Sequence, residues 1–239
     1  MRTVVAGVWG GVLDLVFPPK CLVCGAYGSV DVCDGCRNRF APIALPVCER
    51  CGVSTEGTAA LCPGCEDGPG WSFARARAAG HFSWPLRDAI LRLKYGDKRR
   101  IAAPLGQFLG QFLSANPISA EPPDLIVPVP LHRSRQRERG FNQSAILARE
   151  VGAILGIPVA ENLVIRRRRT RPQAELHASE RATNVRDAFA AEESPVLRRA
   201  SVLLIDDVLT TMHTVDECAR VLTDAGAASV YVAAVARGS

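Results

Sequence analysis

Two sets of residues in this chain have types and spacings that do chemistry. The first lies in VLLIDDVLTTMHT (Val202–Thr214), where an apolar run ends in adjacent aspartates and three threonines, Thr210, Thr211 and Thr214, lead into a helical pattern. Two carboxylates accept hydrogen bonds from a sugar diol. The free N–H groups and dipole of a helix start favour an anion. Diol and phosphate at that spacing describe a ribose 5-phosphate. Asp and Thr are also ordinary helix N-caps, and paired aspartates can instead hold Mg²⁺, so the residues alone leave three readings open.

The second set is the cysteines. Of nine, eight fall in the first 65 residues as four C-x-x-C pairs: Cys21/Cys24, Cys33/Cys36, Cys48/Cys51 and Cys62/Cys65. Two knuckles of this kind supply four thiolates to one tetrahedral ion. CLVCG and CERCG carry glycine after the second cysteine, CDGC and CPGC before it. The alternation describes two copies of one small unit, hence two structural zinc ribbons in series, each using its own four cysteines, with a swap of ligands between the units as the alternative. All-thiolate sites favour zinc, without excluding iron. Segments this short fold only with such a staple. Cys218 stands alone on a helical pattern and reads as a small core residue rather than a nucleophile.

These residues need elements to position them. LIVPVP (Leu125–Pro130), NLVI (Asn162–Ile165), VLLID (Val202–Asp206) and VYVAAVA (Val230–Ala236) are short apolar runs bounded by turn signals. Helical patterns separate them at 143–155, 179–190 and 214–225, the first and last closed by Gly156 and Gly226. Alternating strands and helices predict an α/β fold with a parallel sheet flanked by helices, which binds ligands beyond the carboxyl ends of its strands. Upstream, the periodicity predicts helices over 83–95 and 101–114. The expected organisation is an N-terminal helix and double zinc ribbon over 1–66, a linker at Asp67–Trp71, and a second domain over 72–239, with a helical hood at 72–121 and the core at 122–239.

Bulk properties narrow the classes. The chain has 239 residues, enough for one or two domains, with 48% hydrophobic and 22% charged residues, as in ordinary globular proteins. A net charge of +5 suits an anionic ligand but is too small to establish nucleic-acid binding. The opening MRTVVAGVWGGVLDLVFPPK is interrupted by Asp14, lacks a small-residue cleavage site, and is too short to span a bilayer. The expectation is a docked helix, no transmembrane segment and a cytoplasmic protein.

VLLIDDVLTT-x-x-T resembles the phosphoribosyl pyrophosphate (PRPP) motif of phosphoribosyltransferases. LDLVFPPKC, LRLKYGDKRRIAAPLG, VPVPLHRSRQRERGFNQ and RRRRTRPQAELHASERATNVRDAF, together with the double zinc ribbon, resemble the ComF family of competence-associated, predicted phosphoribosyltransferases over nearly the whole chain. That resemblance implies a phosphoribosyltransferase-type sheet. Asp206 and Asp207 would hold the ribose hydroxyls of PRPP, and the turn of Thr210, Thr211, Met212, His213 and Thr214 the 5-phosphate. Arg133 and Arg135, in the loop after VPVPLH, would lie near the pyrophosphate. A loop from Arg166 to Arg181 would close over the substrate with Thr170, Gln173 and Arg181 in contact. Mg²⁺ would accompany PRPP, and phosphoribose would pass to an acceptor the sequence does not specify.

The family's turn usually has glycine where this chain has Met212. A side chain there could block the phosphate or force the turn into another shape; the expectation is a pocket that persists with weakened affinity. The alternative is a catalytically weak or inactive protein of DNA uptake or recombination. It would bind single-stranded DNA through Lys94, Lys98, Arg99, Arg100 and the Arg133–Arg139 run, or dock a competence helicase or recombination protein through its ribbons. Only 6% of residues are aromatic, few for a stacking platform. His132 and His177 are candidate acid/base groups, each weighed against an ordinary structural role.

Overall fold

The computed structural model describes residues 18–28, 31–55, 60–68, 70–96, 98–170 and 183–238. In chain order come two single-turn helices, α1 (Asp34–Arg37) and α2 (Pro63–Glu66), then strand β1 (Arg75–His81) and helices α3 (Leu86–Tyr95) and α4 (Ala102–Ala115). They are followed by β2 (Leu125–Pro128), α5 (Arg133–Arg139), α6 (Gln143–Leu155), β3 (Val164–Arg166), β4 (Phe189–Ala191), β5 (Ser201–Leu209), α7 (His213–Asp224) and β6 (Ser229–Arg237). No helix among the described residues is long and apolar enough to cross a membrane.

The central sheet is wholly parallel, in the order β1-β6-β5-β2. Its interior strand β5 is covered on both faces. Leu203 and Ile205 belong to the layer under α3, α4 and α6, and Val202 and Leu204 to the layer under α7. A strand buried on both sides reads as a continuous apolar run, which is why VLLID was legible. Helix α6 spans the expected residues and ends at Gly156 in the left-handed conformation, φ 71°.

Three local expectations give way. RARAAGH, composed of residues with little strand preference, forms β1 at one end of the sheet, so the segment 72–121 supplies a sheet strand as well as its helices. NLVI does not join the sheet; β3 pairs antiparallel with β4 in a separate two-stranded ribbon. The helix expected over 179–190 ends instead in that ribbon, because Phe189 turns into the core as a strand residue (its residues 179–182 lie outside the described ones).

The cysteine-rich segment covers the β1 edge. Pro42, between the two ribbons, bridges Gly80 antiparallel, and the Ile43 N–H donates to the Ala79 carbonyl at 3.1 Å. A Cβ on Gly80 would lie 2.9 Å from the Ala41 carbonyl oxygen, so glycine is what admits the linker. From there the ribbons part: Cys21, Val23, Cys36 and Phe40 pack into the layer of α3 and α4, while Cys48 and Cys51 pack into the layer of α7. Capping an open sheet edge in this way removes a template for unwanted pairing.

Candidate functional site

The thiols form two sets, Cys21/Cys24/Cys33/Cys36 and Cys48/Cys51/Cys62/Cys65, and within each the sulfurs all lie within 4.8 Å of one another. Each ribbon therefore uses its own four cysteines, without a swap. Zn–S bonds of about 2.3 Å in a tetrahedron place sulfurs roughly 3.8 Å apart. Cys21–Cys36 at 3.9 Å, Cys24–Cys33 at 3.7 Å and Cys51–Cys62 at 3.7 Å match that spacing. Backbone N–H groups of Val23 and Cys33 point at Cys21 Sγ from 3.4 and 3.3 Å. Burial raises the Cys21 thiol, but the N–H groups of Cys24, Cys33 and Val23 outweigh it and bring it down to about 6, and Cys48 falls to about 6 in the same way. Cys36, Cys51 and Cys65 move the other way, raised by burial and by neighbouring thiols, Cys51 to about 12, as expected of crowded sulfurs that need a cation to share their charge. Four protein ligands each leave no open position, so both are structural zinc sites rather than catalytic ones.

The second site lies at the carboxyl end of β5. Parallel pairing of β5 with β2 and β6 carries Asp206 and Asp207 to one rim of the sheet. A cavity of ≈ 520 Å³ opens there, and its wall includes Asp206, Asp207, Thr210, Met212, Thr214, Lys94, Tyr95, Arg135, Arg139 and Arg166. Asp206 Oδ1 accepts from Ser144 Oγ at 3.0 Å and from the Asp207 N–H at 2.8 Å. Asp207 is 5% exposed and its Oδ1 lies 2.9 Å from Lys94 Nζ. Burial, and then the charge of Asp207, push the Asp206 carboxyl up to about 7, against the opposing pull of Lys94. Burial pulls the Lys94 ammonium down, but the two aspartates overcompensate and hold it above its ordinary value.

Helix α7 starts beside this pair, with Met212 as its N-cap residue at φ 69° and ψ −15°. Met212 thus holds a left-handed conformation, which glycine adopts more readily than a residue with a Cβ. Its side chain is buried, with Sδ 3.2 Å from an Arg237 guanidinium nitrogen. On residues of the cavity wall, Asp207 Oδ2 and Arg166 Nε are buried with no partner among the described residues; Thr211 Oγ1 is likewise unpartnered, but Thr211 is not one of the residues that line the cavity.

Some expected residues meet and others do not. Asp206, Asp207, Thr210, Met212, Thr214 and Arg135 share the cavity wall. His213 turns its ring to Trp71, with centroids 5.9 Å apart. Arg133 is not on this wall: the loop after VPVPLH is helix α5, and Arg133 lines, with Arg167, an adjoining hollow of ≈ 460 Å³ that shares Pro130, Leu131 and Arg166 with the first. His132 caps that helix, its Nδ1 accepting from the Ser134 N–H at 3.2 Å. Thr170 is buried, its carbonyl accepting from Arg135 and its hydroxyl from Arg166. Cys218 is fully buried and its thiol is raised by that burial, the opposite of an activated nucleophile. Gln173, His177 and Arg181 lie outside the described residues.

Arg166 opens the loop expected to close over the substrate and Arg139 ends the basic run after β2, and both line the cavity. Lys94 and Ser144 are the site residues that sequence reasoning missed, and of the two only Lys94 left a signal. It follows Leu86 and Ile90 at four-residue intervals on α3, so it belongs to the buried face of that helix.

The double zinc ribbon domain matches residues 12–66. The chain is 31% identical over 215 residues to Competence protein F of Haemophilus influenzae, covering 86% of this chain and 90% of that one. It is 32% identical over 224 residues to DNA utilization protein YhgH of Salmonella typhimurium, covering 91% and 96%. Among solved structures it is similar to the glutamine PRPP amidotransferase of B. subtilis, at 23% identity over 55% of this chain and 25% of that one, with a TM-score of 0.36.

Proposed function

The chain belongs to the ComF family, the family of Competence protein F, and on that premise we propose that it binds PRPP at the β5–α7 cavity and acts in DNA uptake as a phosphoribosyltransferase. The observation that carries this reading is the convergence of a carboxylate pair, a helix start and three arginines on one cavity. The buried, unpartnered Asp207 Oδ2 and Arg166 Nε, both on residues of that wall, fit a ligand that brings both hydroxyl donors and phosphate oxygens.

The roles follow from the chemistry of each group. Asp206 and Asp207 accept from the 2′- and 3′-hydroxyls. The α7 start, with Thr210, Thr211 and Thr214, holds the 5-phosphate. Arg135, Arg139 and Arg166 receive the pyrophosphate, for which guanidinium forks are suited. Leaving-group departure develops positive charge at C1 of the ribose, and fixed cations around the pyrophosphate favour it. Mg²⁺, when bound with PRPP, adds charge neutralisation of the leaving group. The organisation expected from sequence goes with this reading: ribbons over 1–66, and a transferase domain over 72–239 whose 72–121 segment covers the cavity. Gln173 and Arg181 are proposed to meet the substrate from the 166–181 loop. Titration of PRPP with Mg²⁺ into the zinc-loaded protein tests the proposal. Binding is expected, and it is expected to vanish in Asp206→Asn/Asp207→Asn; equal binding by both proteins would refute it.

A DNA-binding reading has one observation in its favour. Tyr95, 77% exposed at the cavity mouth, is stacked by Arg139 at 5.2 Å. The phosphate track expected for it is interrupted, because Lys94 points inward to Asp207 and Arg100 pairs with Asp31 at 2.8 Å.

A further inference from the structure

The charged group nearest the carboxylate pair comes from neither β5 nor the turn after it. Lys94 reaches in from the last turn of α3, and its ammonium is only 20% exposed where it meets Asp207. Arg135, Arg139 and Arg166 stand on the same cavity wall, so the residues lining it carry four cations against two carboxylates. Two of the carboxylate oxygens are already engaged, Asp206 Oδ1 by Ser144 and the Asp207 N–H, and Asp207 Oδ1 by Lys94.

A hard divalent cation asks for something different. It needs a shell of six or more oxygens and gains affinity from every negative charge among them. At this pair it would displace or face a fixed ammonium, with three guanidinium groups beyond. A hydroxyl brings a hydrogen-bond donor and no net charge. It can satisfy Asp207 Oδ2, which is buried without a partner among the described residues, while the ion pair at Oδ1 stays intact. A pair of adjacent aspartates is thereby turned from a metal site into a diol site by a residue more than 100 positions away in the chain.

Resting on the reading of this cavity as a ribose-phosphate site, we propose that Lys94 sets the selectivity of the Asp206–Asp207 pair. By holding Asp207 as an ion pair, it makes the carboxylates accept neutral hydroxyl donors and refuse a free divalent cation. Lys94 is a specificity-determining residue.

Mn²⁺ is the probe, followed by the electron paramagnetic resonance signal of the free ion in zinc-loaded, full-length protein without PRPP. Wild type is expected to take up no Mn²⁺ at the pair. Lys94→Gln is expected to gain a site at least about tenfold tighter than any in wild type, because one opposing charge is removed. Lys94→Gln/Asp207→Asn is expected to lose it again. Lys94→Arg, which keeps the charge, is expected to behave as wild type and carries the test if the glutamine variant does not fold. Mn²⁺ uptake by wild type that Asp207→Asn abolishes would overturn the proposal, as would uptake by Lys94→Arg or a folded Lys94→Gln protein with no new site. PRPP titration of the same samples separates the two readings: a wild type that binds no PRPP removes the ribose-phosphate reading, whereas the Mn²⁺ comparison still decides what Lys94 does.

Discussion

The ribbons and the β5–α7 cavity both gather polar, ionisable side chains, and they differ in how those groups are closed. Each ribbon draws four thiols from within 18 residues of chain and brings their sulfurs to tetrahedral spacing, with backbone N–H groups already aimed at them. Nothing further is needed except the ion. The cavity draws Lys94, Ser144, Arg166 and the Asp206–Asp207 pair from four distant segments, and leaves Asp207 Oδ2 and Arg166 Nε without partners among the described residues. The difference separates holding a fold together from receiving a ligand: the first satisfies its own groups, and the second leaves some for the visitor.

The comparison breaks most visibly if zinc is removed. Structural zinc contributes apparent binding free energies of about 10–16 kcal/mol in small zinc modules. Chelation is therefore expected to unfold both ribbons and uncover the β1 edge. The second ribbon is the deeper of the two: Cys48 and Cys51 are buried in the layer of α7, and Arg77 and Arg237 donate to the Cys48 and Cys51 carbonyls at 3.2 and 2.7 Å. Cys48→Ser is expected to lower the melting temperature of the whole chain, while Cys24→Ser, at an exposed ligand, acts mainly on its own ribbon. Calorimetry that finds the two variants equally damaged, or the sheet unaffected by either, would dissolve the distinction.

Second in size is the buried ion pair. Removing one partner of such a pair leaves an uncompensated charge and costs about 3–5 kcal/mol. Asp207→Ala is expected to fall in that range by denaturant unfolding, because Lys94 then keeps its burial and loses its counter-ion. Lys94→Met/Asp207→Leu, which removes both charges, is expected to recover most of the loss while binding no PRPP. A single and a double variant of equal stability would mean that the pair is solvated.

How much of this was readable in the chain follows the same division. The ribbons were legible because all their ligands sit at short fixed spacings, and only the question of a ligand swap needed coordinates. VLLID was legible because an interior parallel strand is apolar on both faces. RARAAGH was not, since its burial comes from lying beside β6 and beneath the ribbon linker, and Arg75 and Arg77 hide the strand. Arg133 and Arg135 looked equivalent until α5 set them in two adjoining hollows that share Arg166. Lys94 carried a periodicity signal, yet its partner is set by the tertiary packing of α3 over β5, which no local pattern records.

The Asp206 carboxyl is raised from 3.8 to about 7 in the folded chain, with Asp207 and Lys94 as the charges beside it. The folded state therefore keeps a proton that the unfolded state releases, and this group's contribution to stability falls as pH rises from about 4 through 7. Asp206→Asn cannot ionise. It is expected to match wild type near pH 4 and to exceed it by on the order of 1–3 kcal/mol above pH 7, solvent in the cavity screening part of the full effect. Denaturant midpoints at the two ends of that range give the answer. A variant less stable than wild type at both ends would show the carboxylate to be satisfied by its neighbours, as the thiolates of the ribbons are.

The smallest effect concerns Met212, where the open site borrows a habit of the closed one. Its φ of 69° is a conformation that costs a residue with a Cβ roughly 1–2 kcal/mol. Its side chain, buried with Sδ beside Arg237, offsets that strain. Met212→Ala loses the packing and keeps the strain. Met212→Gly loses the packing and sheds the strain. Both are expected to be less stable than wild type, and the glycine variant is expected to be the more stable of the two by about 1 kcal/mol. This is the reverse of the order found in an ordinary helix, where alanine wins. Paired unfolding curves decide it, and an alanine variant above the glycine variant would mean that the turn has relaxed out of the left-handed region. PRPP titration on the same three proteins then separates packing from access. Affinity that rises only in Met212→Gly assigns the weakening to the Cβ at the phosphate turn, whereas affinity that rises equally in both assigns it to the bulk of the methionine on the cavity wall.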